Sequence, residues 1–296
     1  MKEKRKLGFK SGFVSIIGKP NVGKSTLMNA LVGEDLSIIT SKAQTTRHRI
    51  FGIMNGKDFQ IVYSDTPGIL NPQYQLQQNM MGFVNASLED ADAILYVTDI
   101  YETFENTEVE QRIKNSGIPV IFLLNKVDQA KGSQADDKIE YFKSVIDAKK
   151  YIAISALDKI NLGEVMNSLL KLIPEHAPYF PQDDLTDRSE RFFASEIVRE
   201  KIFLNYKKEV PYSTEVVITE FFEEESIIRM RAEIYVERQS QKGIIIGKGG
   251  AALKKVGIAA RTDLEKFFNK QIHLETFVKV EKDWRKKDQS LKKFGY

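Results

Sequence analysis

The run Gly18-Lys19-Pro20-Asn21-Val22-Gly23-Lys24-Ser25 fits G-x-x-x-x-G-K-[ST] at every fixed position. An apolar run, Phe13–Ile17, precedes it, and a helix-forming stretch, Thr26–Val32, follows. That order, strand then glycine loop then helix, turns backbone N–H groups toward phosphate oxygens at a helix N-terminus. Lys24 supplies a point charge for the terminal phosphates, and the Ser25 hydroxyl suits Mg²⁺. Residues Gly18 through Thr26 are therefore the candidate phosphate-binding set.

A second run names the base. Asn125-Lys126-Val127-Asp128 follows the apolar strand Val120–Leu124. A carboxylate at Asp128 accepts from guanine N1–H and the exocyclic amine, whereas adenine leaves it unpaired at a cost of about 1–3 kcal/mol. Asn125 is placed to tie this loop to the phosphate loop, and the Lys126 stem to cover the base. Ser155-Ala156-Leu157 follows the short strand Tyr151–Ile154, where a backbone N–H reaches guanine O6; the tripeptide carries no information by itself.

The groups for hydrolysis lie between these runs. Asp65-Thr66-Pro67-Gly68 ends the strand Phe59–Tyr63, so Asp65 is a Mg²⁺ candidate, and the Gly68 N–H meets the γ-phosphate where only glycine permits the approach. The polar stretch Ser41–Arg49 contains Thr45 and Thr46, one of which completes the Mg²⁺ shell; Thr46 is preferred. Ile69 follows Gly68 and has no hydrogen-bonding group with which to orient an attacking water, so unassisted turnover is expected to be slow.

Strands are expected near Phe13–Ile17, Ile50–Met54, Phe59–Tyr63, Ala93–Val97, Val120–Leu124 and Tyr151–Ile154. Helices alternate with them near Lys24–Val32, Gln77–Ser87, Thr107–Asn115, Lys138–Val145 and Asn161–Leu172. Asn55-Gly56 marks one hairpin in an otherwise parallel, doubly wound α/β sheet. From Pro174 the texture turns Pro- and Asp-rich, a linker over 175–190 between domains at 1–174 and 191–296.

The second, smaller α+β domain opens on a helix, Ser189–Tyr206, then strands Thr214–Glu223 and Ile227–Glu237. Gly247-Lys248-Gly249-Gly250 follows, then a helix Ala251–Phe268 and a strand Ile272–Val280. A GXXG loop in this setting lets backbone lie against a nucleic-acid backbone. It is no second phosphate loop, since only three residues separate Gly243 from Gly247 and no Ser or Thr follows Lys248. Residues 242–270 carry seven basic side chains against two acidic ones, and 279–293 carry seven against three. Two basic clusters beside GXXG, with Lys248, Lys254 and Lys255 nearest, read as a surface for single-stranded RNA. Trp284 either stacks a base or packs on the domain.

Composition agrees with this division. With 296 residues and 42% hydrophobic content, two cores are affordable. Without cysteine there is no disulfide or thiol chemistry, and His48, His176 and His273 have no metal-site spacing. No apolar stretch reaches the ~20 residues of a membrane span, and the basic opening Met1–Lys10 lacks a signal peptide's apolar core.

The phosphate loop in this wording, the run Ala43-Gln44-Thr45-Thr46-Arg47-His48-Arg49 and a C-terminal RNA-binding module together resemble the Era-like GTPases, bacterial members of the translation-factor-related class. The resemblance spans nearly the whole chain. It implies a P-loop GTPase domain joined to a type II KH domain, with GTP/GDP and Mg²⁺ as cofactors. Switch I falls at Gln44 to His48, and Lys24, Thr46 and Gly68 act in hydrolysis. In related GTPases the asparagine matching Asn21 helps bind K⁺ in place of an arginine finger. The implied partner is the 3′ end of small-subunit (16S-type) ribosomal RNA in a 30S-type particle, bound by a monomer that assists subunit assembly. The cytoplasm is the implied location, with weak peripheral association at the membrane. The alternative is a membrane-surface regulatory GTPase whose basic regions bind anionic lipid.

Overall fold

The computed structural model describes residues 8–105 and 107–296; most of the basic opening, residues 1–7, lies outside them. Within the described residues the chain divides into two compact units. The first gathers residues 8–37, 46–71 and the described part of 80–187, and the second gathers 38–45, 72–79 and 188–296.

In the first unit, β1 (Lys10–Ile17), β2 (Ile50–Asn55), β3 (Phe59–Asp65), β4 (Ala93–Asp99), β5 (Val120–Asn125) and β6 (Lys150–Ala153) form one sheet in the order β2-β3-β1-β4-β5-β6. Only β2 and β3 pair antiparallel, through the expected hairpin, in which the Gly56 N–H donates to the Phe59 carbonyl at 2.8 Å. β4 and β5 are buried along their whole length, which is why they read as unbroken apolar runs and not as alternation. The helices are α1 (Lys24–Val32), α2 (Gln75–Glu89, of which residues 80–89 belong to this unit), α3 (Glu108–Ser116), α4 (Gln134–Val145) and α5 (Leu162–Leu172). α3 begins at a capping box between Thr107 and Glu110 and stops at Gly117 in the left-handed region. α4 starts at Gln134, about a turn before the expected Lys138, because the polar Gln134–Asp137 segment carries no apolar periodicity yet completes the first turn. The core on one face joins Ile17, Ile94, Val120, Phe122 and Leu124 to Val84, Leu88 and Phe142.

Residues 175–187, within the stretch expected as a linker, have no helix or strand of their own but are held to the first unit. Glu175 bridges Lys10, and Gln60 accepts from the Tyr179 and Phe180 N–H groups at 2.7 and 3.0 Å. The Leu185 carbonyl accepts from Ile53 N–H at 2.8 Å, and the Asp187 carboxylate from Phe51 N–H at 3.1 Å. This strap covers the free edge of β2, removing a row of unpaired backbone groups.

The second unit contains α6 (Glu190–Asn205), β7 (Glu215–Glu223), β8 (Ile227–Val236), α7 (Gln239–Ile246), α8 (Ala251–Phe268), β9 (Gln271–Val280) and α9 (Asp288–Lys293). Its sheet order is β7-β8-β9, with β7 antiparallel and β9 parallel to β8. Helix–strand–strand–helix–helix–strand is the order expected of a type II KH domain. Val198, Ile202, Ile245, Val256, Ala260 and Leu264 from the helices pack on Met230, Ala232 and Ile234 of the sheet. Trp284 is fully buried and its Nε1–H donates to the Ser213 carbonyl at 2.9 Å. It packs, and its ring is not offered to a base.

Candidate functional site

The phosphate loop begins where β1 ends. Gly23 has φ +97°, and a Cβ there would lie 2.2 Å from Asn125 Nδ2, so both conformation and space demand glycine. Asn125 explains that crowding: its Nδ2 donates to the Val22 carbonyl at 2.8 Å, and its Oδ1 accepts from the Ala156 N–H at 2.9 Å. One buried side chain thus ties the phosphate loop, the Asn125–Asp128 loop and the Ser155–Leu157 loop together.

Lys24 is buried, and its ammonium donates to the carbonyls of Gly18 at 3.0 Å and Lys19 at 2.8 Å. Burial pushes its pKa down to about 8, with the Asp65 charge acting the other way. The Lys19 side chain turns instead toward Glu102 and Glu105, at 2.9 and 2.8 Å. Burial lowers the Lys19 pKa, but these two carboxylates outweigh it and leave the group raised. Pro20, Val22 and Thr26 contribute backbone to the loop and the first turn of α1, and Asn21 sits in the left-handed region at φ 64°.

Asp65 is the last residue of β3 and is completely buried. Its Oδ2 accepts from Ser25 Oγ at 2.6 Å and from Ser37 Oγ at 2.9 Å, and Ser25 Oγ lies 2.9 Å from Thr46 Oγ1. Burial raises the Asp65 pKa against the opposing effects of Ser25, Lys24 and Ser37. Its Oδ1 is buried without a hydrogen-bond partner. An orphaned carboxylate oxygen beside two hydroxyls is an all-oxygen donor set, which fits Mg²⁺. The Thr45 hydroxyl is committed elsewhere, to Thr40 at 2.6 Å and the Lys42 carbonyl at 2.7 Å. Of the two threonines, Thr46 stands with the other donors. Ser37 escaped the sequence reading because nothing in its flanks has a pattern. Asn29, on α1, holds it by accepting from the Ser37 N–H at 2.9 Å and donating to its carbonyl at 2.8 Å.

Thr66 donates to the Ile16 carbonyl at 2.9 Å, fixing the turn after β3 to β1. A Cβ on Gly68 would meet the Pro20 backbone nitrogen at 2.5 Å, so this turn with Pro67 approaches the phosphate loop as only glycine allows. Ile69 N–H donates to the Gly18 carbonyl at 3.0 Å, while its side chain packs in the core with Ile17 and Val84. Arg47 and His48, read from the sequence as part of a polar loop, are both buried. Gln44 is in the left-handed region at φ 57°.

In the Asn125–Asp128 loop, Val127 and Asp128 lie in a short 3₁₀ turn, Val127–Gln129, with Asp128 exposed. Lys126 pairs with Asp99 at 2.6 Å. Ser155 and Ala156 are buried, and Leu157 is 73% exposed.

In the second unit the GXXG loop joins α7 to α8. Gly249 and Gly250 have φ +57° and +80°, and a Cβ on Gly247 would meet Ala252 Cβ at 2.6 Å. Lys248 at the tip and Lys254 and Lys255 on α8 are exposed. The loop offers bare backbone flanked by cations.

Residues 13–126 match the family model described as 50S ribosome-binding GTPase, and residues 209–285 match the KH domain model. GTPase Era of Syntrophus aciditrophicus is 45% identical over 292 residues, covering 97% of this chain and 95% of that protein. The chain belongs to the Era GTPase family. The Era of Xylella fastidiosa is 42% identical over 97% of this chain. Among solved structures, Era in complex with MgGDPNP and nucleotides 1506–1542 of 16S ribosomal RNA superimposes with a TM-score of 0.91 at 39% identity, covering 97% of this chain and 99% of that one. A variant of Aquifex aeolicus Era bound to GDP and aluminium fluoride gives the same TM-score, identity and coverage. The Era architecture, a P-loop GTPase domain followed by a type II KH domain, is therefore that of this chain.

Proposed function

We propose that this chain hydrolyses GTP to GDP and phosphate with Mg²⁺, and that it binds single-stranded 16S-type ribosomal RNA near its 3′ end to assist small-subunit assembly. The observation that carries the reading is the full-length likeness to an Era bound at once to MgGDPNP and to a 16S segment. Ser25, Thr46 and Asp65 hold the metal, which when bound neutralises charge on the phosphate oxygens. Lys24 supplies the second positive charge, and the Gly68 N–H a backbone donor. Asp128 selects guanine, supported by Asn125, Lys126, Ser155, Ala156 and Leu157 around it. The Ile69 side chain is committed to the core, so turnover without a partner is slow. K⁺ beside Asn21 is part of the same proposal, as are a monomeric state, a cytoplasmic site of action and weak membrane association. Gly247, Lys248, Gly249, Gly250, Lys254 and Lys255 hold the RNA backbone.

The test uses one preparation for two assays: GTP hydrolysis, and affinity for an oligonucleotide copying the 3′ end of 16S RNA. In the double variant Lys248→Asp/Gly249→Asp, RNA affinity is expected to fall at least about tenfold while GTP binding is retained. Undiminished RNA affinity would remove the KH surface from the proposal.

A further inference from the structure

The segment 99–105, between β4 and α3, carries no recognised motif, yet it grips lysines from both nucleotide loops. Asp99 ends β4 with its side chain 7% exposed. Its Oδ2 accepts from Lys126 Nζ at 2.6 Å, and its Oδ1 from the N–H groups of Tyr101 at 2.9 Å and Glu102 at 3.2 Å. Asp99 therefore shapes the turn that follows β4 and at the same time fixes the lysine of the base loop. Lys126 has φ +63°, a conformation unfavourable for a side chain with a Cβ, so an anchor at its ammonium restrains a strained residue. Further along the turn, Glu102 and Glu105 hold Lys19 of the phosphate loop, and Lys19 also donates to the Thr103 carbonyl at 3.2 Å. Lys138 of α4 donates to the Glu102 carbonyl at 2.8 Å, backing the turn from the other side.

We infer that Asp99 is a positioning residue for the guanine base, acting through Lys126, and that Glu102 and Glu105 fix the phosphate loop through Lys19; segment 99–105 thus sets the rate of nucleotide release. The inference rests on the nucleotide-binding reading proposed above. The two grips differ in burial. The Asp99–Lys126 pair is sheltered, so its charge-assisted bond is strong and insensitive to salt. Glu102 and Glu105 are 31% and 61% exposed, so their hold on Lys19 weakens as salt rises.

The experiment measures GDP dissociation by stopped flow and, in parallel, affinity for inorganic pyrophosphate, which has phosphates and no base. Asp99→Asn keeps the shape and the acceptor for Tyr101 and Glu102 but loses the charge facing Lys126. GDP is expected to leave about tenfold faster while pyrophosphate affinity stays unchanged. In a Lys126→Met background, Asp99→Asn is expected to add nothing. Glu102→Gln/Glu105→Gln, at one half-buried and one exposed position and checked for an unchanged melting temperature, is expected to speed GDP release, weaken pyrophosphate, and abolish the rise of the release rate with NaCl. Unchanged GDP release in Asp99→Asn, equal loss of GDP and pyrophosphate, or additivity with Lys126→Met would each overturn the role of Asp99. Unchanged release and salt dependence in the glutamine pair would overturn the Lys19 grip. A wild-type chain that bound no GDP would instead overturn the nucleotide-binding reading itself.

Discussion

Asn125→Ala is the perturbation whose consequence follows most directly from the geometry. The side chain is 3% exposed and makes two bonds, donating to the Val22 carbonyl and accepting from the Ala156 N–H. Truncation leaves a carbonyl and an N–H in places where Val22 is 1% and Ala156 2% exposed, beyond easy reach of water. Each orphan costs about 1–3 kcal/mol, so the pair costs about 2–6 kcal/mol. Part of this cost falls on the native fold and lowers the melting temperature of the GTPase domain by about 5–15 °C. The rest falls on nucleotide affinity, because three loops lose their common tie, and about 1.4 kcal/mol already means tenfold in GDP affinity. Asn125→Asp keeps an acceptor for Ala156 but sets a carboxylate against the Val22 carbonyl, so it should be at least as damaging. Fluorescent-GDP titration and scanning calorimetry, with and without GDP, read both effects. A change in GDP affinity under about threefold, with an unchanged melting temperature, would refute the reasoning.

Three further outcomes are expected. Ile69→Ala should destabilise the fold by about 2–5 kcal/mol through a core cavity, yet leave turnover per bound GTP nearly intact, as denaturant unfolding and single-turnover assays would show. Asp65→Asn should abolish Mg²⁺-stimulated hydrolysis while GDP still binds weakly, which a metal titration of turnover checks. The Lys24 ammonium has its pKa lowered to about 8 by burial, below its unfolded value, so the unfolded chain binds more protons between about pH 8 and 10.5. Stability of the nucleotide-free protein should therefore rise through that window, while GDP affinity falls as the charge facing the phosphates is lost. Both slopes should vanish in Lys24→Met, measured by unfolding and by titration across pH.

The parts of the site that fit a local spacing were legible in the sequence, and the parts made by distant pairs were not. Gly18 to Ser25 and Asn125 to Asp128 could be read because each motif is one loop whose backbone shape depends on its own residues. Strand ends were read short by hydropathy: β3, β4 and β5 run on to Asp65, Asp99 and Asn125, polar residues that continue the ladder while their side chains enter the site. Ser37 and Asp99 carry no signal, because their partners, Asp65 and Lys126, lie 28 and 27 residues away. The Pro-rich stretch after Pro174 looks unstructured by periodicity, yet its backbone groups are hydrogen-bonded to β1 and β2. The single Trp284 could not be assigned from its neighbours, and its full burial and its bond to Ser213 settle it as core.

We further propose that one chain couples a GTP-dependent switch to an RNA-binding surface, γ-phosphate and Mg²⁺ ordering the segments around Thr46 and Gly68 and hydrolysis releasing them. Such coupling means that nucleotide state alters RNA affinity, and linkage then requires that RNA alter GTP affinity by the same factor. The most direct measurement is affinity for the 16S 3′-end oligonucleotide with GDP and with a non-hydrolysable GTP analogue, at one fixed salt concentration. Tighter binding with the analogue is the expected result, and equal affinity in the two states would contradict the account.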